Sequence, residues 1–150
     1  MPGQPGVFDL GVSAMNTDGT GTRVILPCAA ARDIASFAWS PDGTQLILEI
    51  ATGTPAGRTP HTRQSDLAIV AADGSGLRRL TRTAALETNP VFSPDGRFVA
   101  FTSDRASRSR RQERNGKAFE LYTMRIDGSD IRRVTANGVP DLHPDWQALP

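Results

Sequence analysis

The tetrapeptide Ser-Pro-Asp-Gly occupies residues 40–43 and recurs unchanged at residues 93–96, a spacing of 53 residues. The residue types suit a tight turn between two strands. Proline sets φ for the first corner, aspartate suits the second, and glycine accepts the left-handed conformation that ends a short hairpin. We therefore predict that both copies are structural turns.

A second motif recurs in the same order and with nearly the same spacing. Asp-Gly-Ser begins at residue 73 and again at residue 127, and each copy precedes a basic stretch that ends in Leu-Thr at residues 80–81 or Val-Thr at residues 134–135. The aspartate of such a turn can accept a hydrogen bond from the backbone two residues later. Two motifs with one order and one period indicate a repeat protein.

The predicted structural positions of both motifs form one set. They are Ser40, Pro41, Asp42, Gly43, Asp73, Gly74, Ser93, Pro94, Asp95, Gly96, Asp127 and Gly128.

Each whole repeat predicts four β-strands, which in the second copy cover residues 90–93, 97–103, 120–126 and 131–135. Residues 97–103 have apolar side chains on both faces, which is typical of a β-propeller blade buried between two neighbours. No stretch has convincing helical periodicity. We predict an all-β fold: an incomplete β-propeller with two full four-stranded blades and partial blades at each end.

The partial copies set the predicted boundaries. Asp-Gly-Thr at residues 18–20 is a weaker copy upstream, and His-Pro-Asp-Trp at residues 143–146 echoes Asn-Pro-Val-Phe at residues 89–92. The predicted parts are a partial blade of two strands with its connection at 1–35, whole blades at 36–88 and 89–141, and the first strand of a further or closing blade at 142–150.

A complete ring needs more blades than this chain encodes. Propellers have roughly four to eight blades, and repeats of this kind span about 40–50 residues each. We therefore expect either a piece of a longer propeller or self-association through exposed blade edges.

The combined pattern resembles the TolB-type β-propeller repeat over nearly the whole chain. The resemblance implies a noncatalytic scaffold for protein–protein interaction, in a family that includes a member of the Tol-Pal envelope system and whose members are often periplasmic or exported. Two alternatives stay open. One is the propeller of a serine peptidase whose catalytic domain lies outside this chain, and the other is a structural remnant without an independent function.

Composition and motifs argue against several other functions. With 17 basic and 16 acidic residues the net charge is +1, so no long-range field favours nucleic acid or an anionic membrane. No apolar run is long enough to span a bilayer, and residues 1–10 do not resemble a signal peptide. The compartment therefore stays open.

Catalytic and metal signatures are also missing from the sequence. There is no Gly-x-Ser-x-Gly elbow and no Asp-x-Asp-x-Asp-Gly loop, and Cys28 has no second cysteine with which to form a disulfide or a zinc site. We interpret His143 as a structural polar residue and His61 as a solvated loop residue. We predict no enzyme activity, no metal and no cofactor.

The strongest local charge feature is the segment at residues 104–117, which we call the basic segment. It has six basic and two acidic residues between two strands of one blade, whereas the equivalent segment at 52–64 is rich in Pro, Gly and Thr. We interpret it first as a flexible solvated loop, and the functional alternative is contact with an acidic partner or with phosphate groups. The candidate residues are Arg105, Arg108, Arg110, Arg111, Arg114 and Lys117.

Overall fold

The computed structural model describes residues 11–27, 34–52, 64–107, 119–137 and 139–147. Within them there are ten β-strands, one turn of 3-10 helix at Arg105–Ser107, and no α-helix. The strands are β1 (Val12–Ala14), β2 (Arg23–Leu26), β3 (Ile34–Trp39), β4 (Gln45–Ala51), β5 (Ser65–Ala71), β6 (Arg78–Arg79), β7 (Glu87–Phe92), β8 (Phe98–Ser103), β9 (Glu120–Arg125) and β10 (Arg132–Arg133). The predicted all-β fold is confirmed.

The chain divides into two compact units between residues 33 and 34. In the first unit, β1 and β2 form an antiparallel hairpin in which Val12 lies opposite Leu26. Both of these side chains are buried, whereas Met15 at the end of β1 is 68% exposed.

The second unit contains two four-stranded antiparallel sheets. Their strand orders are β3-β4-β5-β6 and β7-β8-β9-β10, so each sheet is a meander of consecutive strands. The first strand of the second sheet, β7, lies against β3, β4 and β5 of the first. This is the arrangement of neighbouring propeller blades, and we call the two sheets blade A and blade B.

Blade B begins earlier than the sequence pattern indicates. The predicted strand at residues 90–93 starts at Glu87 in the structure, and its pairing with β8 shifts between Thr88 and Val91. Asn89 has a φ of 53° at this bulge, and Pro90 has no N–H to give to the ladder. The bulge breaks the alternation of apolar residues, which hides the start of the strand.

Residues 139–147 belong to no sheet in the structure. The first strand of a further or closing blade at 142–150 stays a prediction. His143 nevertheless has a φ of 55°, close to the value at Asn89, the matching position of the preceding repeat.

The two ends of each blade differ. Strand directions place the short turns that follow β3, β5, β7 and β9 at one end, which we call the turn end. The opposite end, which we call the loop end, receives the connections after β4, β6 and β8.

The two Ser-Pro-Asp-Gly turns share one hydrogen-bond pattern. The Ser93 hydroxyl donates to Asp95 Oδ1 at 2.6 Å and accepts from the Phe98 N–H at 3.0 Å, while Asp95 Oδ1 also accepts from the Arg97 N–H at 3.0 Å. The Ser40 turn repeats these three distances as 2.6, 3.0 and 3.0 Å. Gly96 has a φ of 68°, in the left-handed region that favours glycine. The serine and aspartate side chains thus hold the backbone of the hairpin together.

The core of the second unit lies between its two blades. Ile47, Leu67 and Ile69 of blade A meet the larger side chains of blade B, and Ala38, Leu80 and Ile126 pack at the edge. The buried members from blade B are Phe92, Val99, Phe101, Tyr122 and Met124.

A polar contact locks the blades together at the turn end. The Arg78 guanidinium of blade A donates to the Ile126 carbonyl at 3.1 Å and to the Asp127 carbonyl at 3.3 Å. Gly128 sits so close to blade A that a Cβ atom there would lie 2.7 Å from the Leu80 carbonyl oxygen. We call this contact the Asp-Gly latch.

We expect protonation of Asp95 to weaken its turn in acid. Hydrogen bonds from the Ser93 hydroxyl, and then from the Arg97 backbone and side chain, lower the pKa of Asp95 from 3.8 to about 2. A lowered pKa in the folded state contributes stability that is complete above about pH 4 and is lost as the pH falls towards 2. Asp95→Asn should therefore lower the thermal midpoint at pH 7 and flatten its decline between pH 4 and pH 2, as measured by circular dichroism. An equally steep decline in Asp95→Asn and the parent chain would contradict this.

Gly128→Ala should destabilise the second unit more than the same change at an open glycine. Its φ of 89° disfavours any side chain, and the Cβ would also collide with the Leu80 backbone. We expect a loss of roughly 3 kcal/mol in urea unfolding, against about 1 kcal/mol for Gly43→Ala, where φ is 70° and no atom lies within 4 Å. Equal losses for the two variants would show that the latch is not a close contact.

Candidate functional site

The loop end of the second unit carries its buried acidic groups. Three fully buried carboxylates stand at the first or second residue of a strand: Asp66 in β5, Glu87 in β7 and Glu120 in β9. Each is paired with an arginine of the same unit. Because a buried carboxylate is costly without a partner, these pairs fix the geometry of the loop end.

Blades A and B repeat one of these pairs. In blade B the Arg133 guanidinium donates to Glu120 Oε1 at 2.6 Å, and the Thr135 hydroxyl donates to Glu120 Oε2 at 2.8 Å. In blade A, Arg79 donates to Asp66 Oδ2 at 3.3 Å. In each blade, an arginine on the fourth strand therefore pairs with a carboxylate at the start of the third strand.

The threonine that ends each repeat completes the clamp. Thr135 Oγ1 accepts a hydrogen bond from the Leu121 N–H at 3.0 Å, and Thr81 Oγ1 accepts one from the Leu67 N–H at 2.9 Å. Burial raises the pKa of Glu120, but the bonds from Thr135 and Arg133 outweigh it and hold that pKa below 4.5. The Leu-Thr and Val-Thr endings are therefore explained by hydrogen bonding within the blade.

Arg105, the first arginine of the basic segment, is built into blade B. Its guanidinium donates to Glu87 Oε1 and lies over two rings, 5.3 Å from the Phe101 centroid and 4.9 Å from the Tyr122 centroid. The two rings are stacked on each other with centroids 5.7 Å apart. The side chain of Arg105 is only 20% exposed, so it anchors the start of the segment to the blade.

Glu87 connects Arg105 to blade A. The Thr83 hydroxyl also donates to Glu87 Oε1 at 3.0 Å, and the backbone N–H and carbonyl of Glu87 both bond to the Ser65 hydroxyl, at 3.0 and 2.6 Å. The loop end is thus one network that runs from β5 of blade A to Arg105 in blade B.

The structure separates the two predicted sets of residues. The predicted turn residues lie at the turn end, whereas Arg105 lies at the loop end. The other five candidates for partner contact, together with His61 and Cys28, fall outside the described residues. His143 is exposed.

Among residues 11–27, 34–52, 64–107, 119–137 and 139–147, no group of three or more His, Cys, Asp or Glu side chains could hold a metal ion. No helix in that part of the chain is long and apolar enough to cross a membrane.

Sequence reasoning missed the buried carboxylates. A signal was present, because Asp66 and Glu120 are 54 residues apart, as are the arginines that pair with them, Arg79 and Arg133. The substitution of Asp by Glu concealed the repeat at this position.

Comparison with known proteins gives consistent results. A family model described as the TolB beta propeller domain matches residues 19–148. The Tol-Pal system protein TolB of Bordetella pertussis is 38% identical over an alignment that covers 77% of this chain and 32% of that protein. The chain therefore spans about a third of the length of the curated relatives that it matches.

Solved structures show the same fold at lower identity. A protein described as a TolB from Agrobacterium tumefaciens matches with a TM-score of 0.60 and 20% identity, over 89% of this chain and 45% of its own. TolB from Acinetobacter baumannii matches with a TM-score of 0.56 and 22% identity, over 82% of this chain and 26% of its own.

Removing the charge of Glu87 should destabilise blade B. Glu87→Gln leaves Arg105, whose side chain is largely buried, without its counter-ion, and we expect a loss on the order of 3 kcal/mol in urea unfolding. Arg105→Lys keeps the charge but loses the planar group over the rings, so its loss should be about 1 kcal/mol. Arg97→Lys, at a side chain that is 75% exposed, is the control and should have no measurable effect. A Glu87→Gln variant as stable as this control would show that Glu87 does not anchor Arg105.

Proposed function

This chain belongs to the TolB β-propeller domain family, and we propose that it serves as a noncatalytic scaffold whose loop end binds a protein partner. The observation that carries the proposal is the anchored start of the basic segment. Arg105 is fixed by Glu87 and by two rings, so the arginines that follow it begin from a rigid platform. Loops of variable sequence on a rigid scaffold are common sites of binding specificity.

The two variable segments leave the unit at the same end. Residues 53–63 connect β4 to β5, and residues 108–118 connect β8 to β9. These segments differ in composition and charge, although they occupy the same place in the repeat. A partner that approaches the loop end would meet both of them.

The charge of the basic segment favours an acidic partner. Each of the fully buried carboxylates Asp66, Glu87 and Glu120 is already paired with an arginine. The residues Arg108, Arg110, Arg111, Arg114 and Lys117 add five further positive charges in the sequence. Arginine binds carboxylates through two parallel hydrogen bonds, which suits acidic side chains of a protein.

A noncatalytic role is supported by the way polar side chains are used. The Ser65 hydroxyl donates to the Glu87 carbonyl, and Thr81 and Thr135 hold strand backbone. These hydroxyls stabilise the blades. The Bordetella relatives are named as Tol-Pal system proteins, and we infer that this chain contributes protein contacts to an assembly of that kind.

Charge reversal in the basic segment tests the proposal. The probe is a fluorescein-labelled peptide rich in aspartate and glutamate, followed by fluorescence anisotropy with a peptide of serine and glycine as the reference. Arg110→Glu with Arg111→Glu should raise the Kd for the acidic peptide by at least about tenfold, on the order of 1.4 kcal/mol.

The matched control carries the same charge change at the turn end. Arg97→Glu with Arg125→Glu alters two side chains that are 75% and 54% exposed, and it should leave the Kd within about twofold. Equal weakening by both pairs would mean that net charge alone attracts the peptide. That result, or the absence of binding to the parent chain, would refute the loop end as the contact.

A further inference from the structure

Blade B carries a second copy of the surface that contacts the turn in the Asp-Gly latch. Arg78 and Leu80 of blade A receive the turn at residues 126–128. The matching positions 54 residues later are Arg132 and Val134. The Arg132 Nε donates to Asp130 Oδ1 at 2.9 Å, and the side chain is 73% exposed. Val134 is 60% exposed, whereas Leu80 is partly buried against the core.

The sheet surface beside Arg132 and Val134 also matches the face of blade A that packs against blade B. Blade A packs Ala38, Ile47, Leu67, Ile69 and Leu80 against blade B. The strand registers assign the equivalent positions of blade B, which are Val91, Ala100, Leu121, Thr123 and Val134. Four of these five are apolar. The face of blade B that carries them, which we call the receiving face, therefore resembles the face of blade A that packs against blade B.

The turn at residues 18–20 has the same local geometry as the turn at residues 127–129 that contacts blade A. Gly19 has a φ of 83°, and Asp18 Oδ1 accepts the Thr20 N–H at 2.9 Å. The latched turn has a φ of 89° at Gly128, and its aspartate accepts the Ser129 N–H at 2.8 Å. A Cβ atom at Gly19 would have no neighbour within 4 Å, so this turn is open where the other is in contact.

An exposed methionine accompanies the open turn. Met15 stands three residues before Asp18, as Met124 stands three residues before Asp127. Met124 is fully buried in the core between the blades, whereas Met15 is 68% exposed. The hairpin β1-β2 therefore presents the same two features, a methionine and an Asp-Gly turn, that blade B uses to seat itself on blade A.

We propose that a second copy of this chain docks its β1-β2 hairpin on the receiving face of blade B. In this contact Arg132 donates to the carbonyls of the turn at Asp18, and Met15 covers Val134. The negative charge of Asp18 near Arg132 favours the approach. The interface is head to tail, because each copy offers the hairpin at one site and the receiving face at another. The proposal stands independently of partner binding at the loop end.

The test is the mass of the whole chain by sedimentation velocity over a range of protein concentrations. The parent chain should associate as its concentration rises. Met15→Glu changes only the hairpin and Val134→Glu changes only the receiving face. Both residues are exposed, so both variants should fold, which circular dichroism verifies. Each should raise the Kd for self-association by at least about tenfold, because a charge would be buried without a partner.

Mixing the two variants distinguishes a head-to-tail contact from a symmetric one. Met15→Glu keeps an intact receiving face and Val134→Glu keeps an intact hairpin, so an equimolar mixture should form a dimer through one normal junction. Phe37→Glu changes a 51% exposed side chain outside both surfaces and should associate like the parent.

Any one of four results would overturn the proposal. The parent chain could sediment as a monomer at every concentration, which would leave the receiving face to a blade from another source. Association could be unaffected by both variants or equally lost in Phe37→Glu. The mixture could also fail to associate when the parent chain does.

Discussion

The structure depends on the burial of both faces of a β-sheet. Strands such as β4 and β8 carry apolar residues on both sides, and a sheet of this kind is stable only when each side is covered. Blade A covers one side of blade B through the core that contains Phe101 and Met124. The large side chains of blade B fill the space between the blades, and at the turn end Gly128 of blade B allows a close approach to Leu80 of blade A.

The two ends of the blades satisfy polar groups in different ways. At the turn end, exposed aspartates accept backbone N–H groups within their own turns, so each hairpin is stabilised locally. At the loop end, buried carboxylates are paired with arginines from other elements, and Glu87 also bonds to Ser65 of the neighbouring blade. The turn end is therefore the same in every repeat, while the loop end connects a rigid interior to segments of variable sequence. That division supports the binding surface that we propose at the loop end.

The latch gives one motif two uses. Asp-Gly-Ser forms a tight turn, and the same turn presents two carbonyl groups and a glycine to the neighbouring blade. A repeat built this way carries a donor turn and an acceptor surface in each copy, so further blades or further chains can add by the same contact. Exposed Val134 and Met15 mark the two places in the described residues where that contact is open.

The sequence by itself determined the repeat, the all-β blades and the chemistry of the turns, because proline, aspartate and glycine act within a few residues of where they stand. It did not determine the role of Arg105, which looked like a surface charge and is held by Glu87, 18 residues away. It also missed the start of β7, where a bulge at Asn89 interrupts the alternation. Only tertiary structure decided these points, since ion pairs and blade contacts join residues that the chain separates by tens of positions.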